Sequence, residues 1–312
     1  MTTDILVLGL GELGTAVLKG LADILPPSTT LTALIRPSTL NSSSQSTAQK
    51  LAFLQSHNIT PLTGDIESPP PSSLADLFRP FTIVISCLGY TSSGTKIQEK
   101  ITRAVLAARV PRFIPWQFGV DYDVIGKGSA QDLFDEQCDV RSLLRNGEEN
   151  PGTEWVIVST GIFMSFLFEE FWGVVDVKEK QWVVRALGSW ENKVTVTTPE
   201  DIGRLTARIV FEEPRIKNEV VFVAGDTISY AQLANIVEEI TGSEVKRELW
   251  GVPNLKQGLA EDKDNGVKKY RVVFAEGRGC SWDMEKTFNF QRSIPVEDVK
   301  TWAKKNLLAK RE

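Results

Sequence analysis

Cysteine is scarce in this chain and histidine scarcer, three of the first and one of the second in 312 residues. Cys87, Cys138 and Cys280 lie far apart and form no CxxC pair, which removes a disulfide framework and a zinc knuckle. The single histidine, His57, follows the run KLAFLQS, away from any other candidate residue, so a Ser-His-Asp mechanism or a histidine-ligated metal has nothing to stand on. No metal site is expected. Basic residues do not exceed acidic ones, 35 against 40 for a formal charge of -5, and they form no run. A nucleic-acid partner is therefore not expected. Long apolar runs are also missing. The most apolar stretch, WVIVSTGIFMSFLF from Trp155 to Phe168, is bounded by Glu154 and Glu169 and is too short to span a bilayer. It reads as a buried strand running into a packed loop or helix, with no membrane partner expected. The opening MTTDILVLGLG has no basic region ahead of an apolar stretch and starts directly with a strand. Together with the unpaired cysteines this leads to the expectation of a cytoplasmic protein.

What is present is a rhythm. At 42% hydrophobic residues the chain can bury one large core or two unequal ones. DILVLGL, TLTALIR, ITPLTGD, FTIVISCLG, RFIPWQF and EWVIVST read as strands. Between them, ELGTAVLKGLADIL, STAQKLAFLQSHN, TKIQEKITRAVLAARV and QDLFDEQCDVRSLLRN read as helices. Strands alternating with helices of ten or more residues specify βαβ crossovers and a parallel sheet covered on both faces. The expected fold class is α/β, a doubly wound (Rossmann) parallel sheet. The polar tracts STLNSSSQSTAQ and ESPPPSSLAD read as surface loops. Past about residue 160 the rhythm loosens, so residues 1–158 are expected to form the dinucleotide-binding domain. Residues 159–312 are expected to form a smaller substrate-binding lobe, partly interleaved with the sheet. Ligands of open α/β sheets sit beyond the carboxyl ends of the strands, so a cleft between the lobes is the expected site.

The sequence ILVLGLGELGTAVLKGL places Gly9, Gly11 and Gly14 in a GxGxxG pattern directly after a strand and before a helix. The first glycine permits the tight turn, the second lets backbone approach a pyrophosphate, and the third allows close helix packing, with the helix amino terminus adding partial positive charge. Gly9, Gly11, Glu12, Leu13 and Gly14 are the candidate pyrophosphate contacts. At the end of the next strand, where an acid would accept from the ribose 2'-hydroxyl of NAD, the chain has Arg36. A guanidinium holds a 2'-phosphate bidentately, which favours NADP(H) as cofactor.

Taken in order, GLGELG, TALIRPS, PLTGDIES, VISCLG, RFIPWQFGVD and TPEDIGRLTARIV resemble the NmrA-like and isoflavone-reductase-like branch of the atypical short-chain dehydrogenase/reductases. The family's glycine loop is usually the longer GxxGxxG, and this chain has the shorter form. The resemblance implies that Cys87, Leu88 and Gly89 pass the cofactor's phosphate and ribose, and that Asp65 lies beside the adenine. It places Pro115, Trp116, Gln117 and Phe118 near the nicotinamide, with Ser159, Thr160, Gly161 and Phe163 on the next strand end. It also exposes a departure. Reductases of this branch carry a lysine in an FxxK-like pattern, and the matching run here is Phe134, Asp135, Glu136 and Gln137. No Tyr-x-x-x-Lys pair replaces it, since Tyr122 and Lys127 are five apart. An amide orients a substrate but is no proton donor at neutral pH. The remaining candidates are Lys127, Tyr122, Tyr90 and Asp121.

The resemblance implies an NADPH-dependent reductase of a small, largely apolar carbonyl, enone or imine, in specialised metabolism. An iminium arrives already protonated and would suit the missing lysine. Two alternatives stay open: an NADP-binding isomerase or cyclase without net redox change, and an NADP-sensing regulator. The expected partner is a small-molecule substrate, and a homodimer is left open.

Overall fold

The computed structural model describes residues 3–40, 44–89, 96–150, 152–178 and 181–308. The chain begins with β1 (Thr3–Leu8), α1 (Glu12–Asp23), β2 (Thr29–Ile35), α2 (Pro37–Leu40), α3 (Gln45–Ser56), β3 (Thr60–Thr63) and α4 (Pro71–Phe78). It continues through β4 (Ile83–Ser86), α5 (Ile97–Ala108), β5 (Arg112–Ile114), α6 (Tyr122–Ile125), α7 (Leu133–Arg145) and β6 (Glu154–Ser159). After these come β7 (Ile162–Phe163), β8 (Val175–Lys178), β9 (Gln181–Leu187), β10 (Lys193–Thr197), α8 (Pro199–Val210), β11 (Glu219–Phe222) and β12 (Asp226–Ser229). The last elements are α9 (Tyr230–Thr241), β13 (Lys246–Trp250), α10 (Val252–Ala260), α11 (Gly266–Glu276), α12 (Phe288–Gln291) and α13 (Val299–Leu308).

Two compact units result. The first comprises Met1–Gln117, Asp139–Val158 and Ile202–Val221; the second comprises Phe118–Cys138, Ser159–Asp201 and Phe222–Glu312. One junction between them falls between Val158 and Ser159. The others arise because β11 is a strand of the first unit's sheet, α8 packs on that unit's α1, and the segment around α6 belongs with the second core.

The first unit is built on a seven-stranded sheet of order β11-β6-β5-β4-β1-β2-β3. The pairs from β3 through β2, β1, β4 and β5 to β6 are all parallel. In β1 the last four residues, Leu-Val-Leu preceded by Ile5, are fully buried, as a strand covered on both faces requires. The order reverses between β1 and β4, which makes the carboxyl ends of these strands the topological switch point. Helix α1 buries Val17, Leu18 and Leu21 on the sheet. A Cβ on Gly20 would stand 2.4 Å from the Gly203 carbonyl oxygen, and one on Gly203 2.1 Å from that of Ala16, so α1 and α8 touch backbone to backbone. Arg112, 3% exposed, reaches from β5 to donate to the carbonyls of Val210 at 2.7 Å and Ile216 at 2.9 Å, tying the end of α8 to the sheet.

Two sequence expectations change here. The strand expected over RFIPWQF stops at Ile114, because Pro115 has no N–H to offer the ladder. The tract ESPPPSSLAD is not wholly loop: Pro71 opens α4 at its first position with φ preset, and Leu74, Ala75 and Phe78 give the helix a buried face.

The second unit carries two three-stranded sheets, β12-β10-β7 and β13-β9-β8. In each the central strand has one parallel and one antiparallel neighbour. The run Trp155–Phe168 passes from β6 through β7 into a 3-10 turn over Met164–Phe168, with Met164, Leu167 and Phe168 buried in this unit's core. At its centre Arg185, 2% exposed, donates to Glu248 at 2.8 Å and to the Gly173 carbonyl at 2.8 Å. Its guanidinium lies 5.1 Å from the ring centroid of Trp250. Among the described residues no helix is long and apolar enough to cross a membrane.

Candidate functional site

In the first unit the candidate residues converge. A cleft of about 250 Å³ opens at the switch point, lined by Gly9, Leu10 and Gly11 of the first turn, Arg36 and Thr39 after β2, and Gly64 to Glu67 after β3. Cys87, Leu88 and Gly89 after β4 form its other wall.

The glycine turn is shaped by close approach. Gly9 has φ of +97°, a left-handed value that side chains rarely adopt. A Cβ on Gly14 would fall 2.1 Å from the Gly9 carbonyl oxygen and 3.4 Å from Cys87 Cβ, so this glycine lets α1 seat against the strand ends. Gly11 differs: it is the N-cap of α1, its φ of -85° suits any residue, and a Cβ there would meet nothing within 4 Å. The space beside it belongs to the cleft. The first-turn N–H groups of α1 lack intrahelical acceptors, and Gly11 at the N-cap has no side chain to cap them. Backbone donors and the positive end of the helix dipole therefore face an opening that an anion can enter. Glu12 is exposed in this turn and Leu13 is buried beneath it.

Across the cleft Arg36 is exposed at the end of β2, its Nη1 3.8 Å from Glu67 Oε1. Lys50, on α3, lines the same pocket. Asp65 is bound to its own turn. Its carboxylate accepts from the N–H of Glu67 at 2.9 Å and of Ser68 at 3.3 Å. A bond from the Ser68 side chain first, and these main-chain bonds after it, hold its pKa below the usual carboxylate range. Cys87 is buried, and burial pushes its thiol up, which makes it a wall and not a nucleophile. Leu88 packs over Gly9, and its carbonyl accepts from buried Gln98 at 2.7 Å. The indole of Trp116 lies against Gly89, whose added Cβ would be 3.5 Å from Cζ2. Gln117 does not face this surface with its side chain: it is fully buried and accepts from Arg141 Nε at 2.9 Å.

Most of the remaining candidates belong to the second unit. Phe118 is buried, and Gly161 has φ of +71° with its Cα so close to the Thr195 carbonyl that a Cβ would stand 1.9 Å away. Phe163 is half-buried on β7 and leads a row of rings, 5.5 Å to Phe166 and then 5.4 Å to Phe171. Ser159 and Thr160 are fully buried. Tyr122, at 3% exposure, is a core residue with its ring edge-on to Phe134 at 5.0 Å and its hydroxyl against the Gly119 Cα. Lys127 is exposed on a turn between Gly126 and Gly128, both at positive φ. Gln137 is fully buried on α7. Asp121 caps α6. Tyr90 lies outside the described residues. His57 ends α3, with Nδ1 2.9 Å from the Phe53 carbonyl oxygen. Among the described residues no three His, Cys, Asp or Glu side chains gather to hold a metal ion.

Sequence reading missed Thr39, Lys50 and Glu67 as cleft residues. For Thr39 and Glu67 the only signal available was their position a few residues past the ends of β2 and β3; Lys50, inside α3, offered none. Which way a side chain points there is decided by the turn.

Comparison with known proteins agrees with this architecture. The NmrA-like family model matches residues 1–302. An NmrA-like family domain-containing oxidoreductase of Gibberella moniliformis is 47% identical over 309 residues, spanning 97% of this chain and 98% of that protein. An isoflavone reductase structure superimposes with a TM-score of 0.77 at 18% identity, covering 98% of this chain and 99% of the other. The binary complex of leucoanthocyanidin reductase with NADPH from Vitis vinifera gives 0.76 at 18%, with 98% and 99% covered. At such identities the structural likeness speaks for the fold. Match and sequence relative together decide the classification: the chain belongs to the NmrA-like family.

Proposed function

We propose that the protein is an NADP(H)-dependent oxidoreductase acting on a small, largely apolar carbonyl, enone or imine compound. The observation that carries this reading is the cleft itself, with the amino-terminal turn of α1 at Gly11 on one side and Arg36 with Lys50 on the other. That spacing of donors suits a dinucleotide with a 2'-phosphate, and relatives named as oxidoreductases support it. The bound nicotinamide would supply hydride at C4. The chain's own part is to hold the pyrophosphate on the α1 turn, the 2'-phosphate on Arg36 and Lys50, and the strand end beneath Trp116. The second unit offers the half-buried rings of Phe163 and Phe166 as apolar surface. None of the chain's three cysteines forms a disulfide, consistent with the cytoplasmic location we infer.

Arg36→Ala should weaken NADP(H) about ten- to hundredfold, the loss of a charged hydrogen bond of ~1.5–3 kcal/mol, while NADH changes little. Titration calorimetry measures both. Equal affinity of the unaltered protein for NADPH and NADH would overturn the assignment.

One observation favours a second reading. Gln137, an amide, is fully buried where the family's lysine is expected, and this suits a cofactor held without net consumption, in an isomerase, a cyclase or a sensor. Following NADPH absorbance and product together, with enones, imines and ketones, separates the two. Under the redox reading both signals move. Loss of Lys127, exposed on its turn, should then cost ~10²–10⁴ in rate if it is the general acid. Tyr122→Phe should have the smaller effect because that hydroxyl is enclosed in the core. Product formed at a flat NADPH signal would overturn net reduction, and unchanged rates in both variants would leave proton supply to water or substrate.

A further inference from the structure

Four charged residues line the cleft, Arg36, Lys50, Asp65 and Glu67, so its two cations are matched by two carboxylates. The carboxylates are not equivalent. Asp65 is consumed by the turn that follows it, where it accepts two main-chain N–H groups. That turn presents Glu67, whose carbonyl oxygen also accepts from Lys100 Nζ at 2.7 Å, so its main chain is fixed from two directions. The Glu67 carboxylate, in contrast, is partly exposed at the rim and lies 3.8 Å from the Arg36 guanidinium. A phosphate monoester carrying about -1.5 to -2 charges at neutral pH must either displace Glu67 from Arg36 or accept a carboxylate a few ångströms away. A ribose 2'-hydroxyl meets no such conflict and can donate to that carboxylate.

We propose that Glu67 is a specificity-determining residue of the cleft, a resident counter-anion on Arg36 that weakens binding of 2'-phosphorylated dinucleotides and narrows the preference for NADP(H) over NAD(H). The inference rests on the reading of the cleft as a dinucleotide site. Because the pair is solvent-exposed and screened, its effect on affinity is about three- to tenfold.

The test is calorimetric titration of the full chain and of Glu67→Gln with 2',5'-ADP, NADP+ and NAD+, at low and high salt. Among the described residues the Glu67 side chain makes only this rim ion pair, so the variant should keep its melting temperature. The expected result is binding of 2',5'-ADP and NADP+ that is three- to tenfold tighter in the variant, an advantage that shrinks with salt, and no gain for NAD+. Unchanged NADP+ affinity in Glu67→Gln, with the unaltered protein binding NADP+, would overturn the role of Glu67 and leave the cofactor assignment standing. An equal gain for NAD+ would also overturn it, since the carboxylate would then be acting on the whole dinucleotide charge. An unaltered protein that binds none of the three probes would bring down the cofactor assignment and this inference with it.

Discussion

Gly11→Val should abolish NADP(H) binding, by more than about a hundredfold, in a protein that still folds. The asymmetry within the glycine turn is what makes the result informative. Gly9 and Gly14 are needed by the chain itself, one for its backbone angle and the other for contact with the Gly9 carbonyl, so replacing either would confound binding with misfolding. Gly11 has neither constraint, because an added Cβ points into open cleft. Valine there would occupy the space through which a pyrophosphate reaches the first-turn N–H groups of α1, and would remove their closest approach. The folding cost is that of a poorer N-cap, about 1 kcal/mol or less, which for a protein of this size lowers the melting temperature by only a few degrees. Calorimetric binding and a thermal melt on the same preparation separate the effects. Tight binding retained in the variant would show that the anion does not pass Gly11.

The largest effect on stability is expected at Arg185→Ala, in the second unit. The guanidinium donates to Glu248 and to the Gly173 carbonyl, stands 3.3 Å from Asp176, and stacks on Trp250. Truncation removes one partner of a buried network and leaves two carboxylates and a carbonyl facing an empty space, which costs about 3–5 kcal/mol. The pH dependence has a definite sign. Glu248 is held below its ordinary 4.5 by the hydrogen bond from Lys246 first and by Arg185 second. A depressed carboxyl contributes stability above its unfolded pKa and loses it as pH falls through the folded one. The gap between the two proteins should therefore be full near neutrality and narrow progressively below about pH 4.5. Chemical denaturation across that range measures it. A loss under about 1 kcal/mol at neutral pH would mean that the site relaxes around the missing group.

How much of this was legible in the sequence varies by scale. The parallel sheet was legible because strands buried on both faces read as apolar runs, as in Ile5 to Leu8, and because the intervening helices are long enough to cross over. The conformation of the glycine turn after β1 was legible because glycine spacing encodes backbone geometry directly. Side-chain direction was not. Gln117 stands one residue from Trp116, yet its amide turns inward to Arg141 while the indole lies against Gly89. The roles of Lys50 and Glu67 depend on how α3 and the Asp65 turn fold back beside Arg36, a tertiary fact with no local signature. The Pro-rich tract hid α4 because proline reads as a breaker unless its position at a helix start is recognised.

The discontinuity of the two units also has a consequence for synthesis. Helix α1 is complete at residue 23, but its backbone partner at Gly203 emerges some 180 residues later, and β11, the strand that closes the β6 edge, ends at Phe222. At about 5–20 residues per second, the ribosome needs roughly 3–13 s to travel from the end of β6 to the end of β11. During that interval the growing chain carries an uncovered edge at β6, whose Trp155 to Ser159 are all buried once folding is complete. An apolar open edge is a template for pairing with a neighbouring chain, so polysomes making this protein expose their most aggregation-prone surface over the translation of residues 159–222.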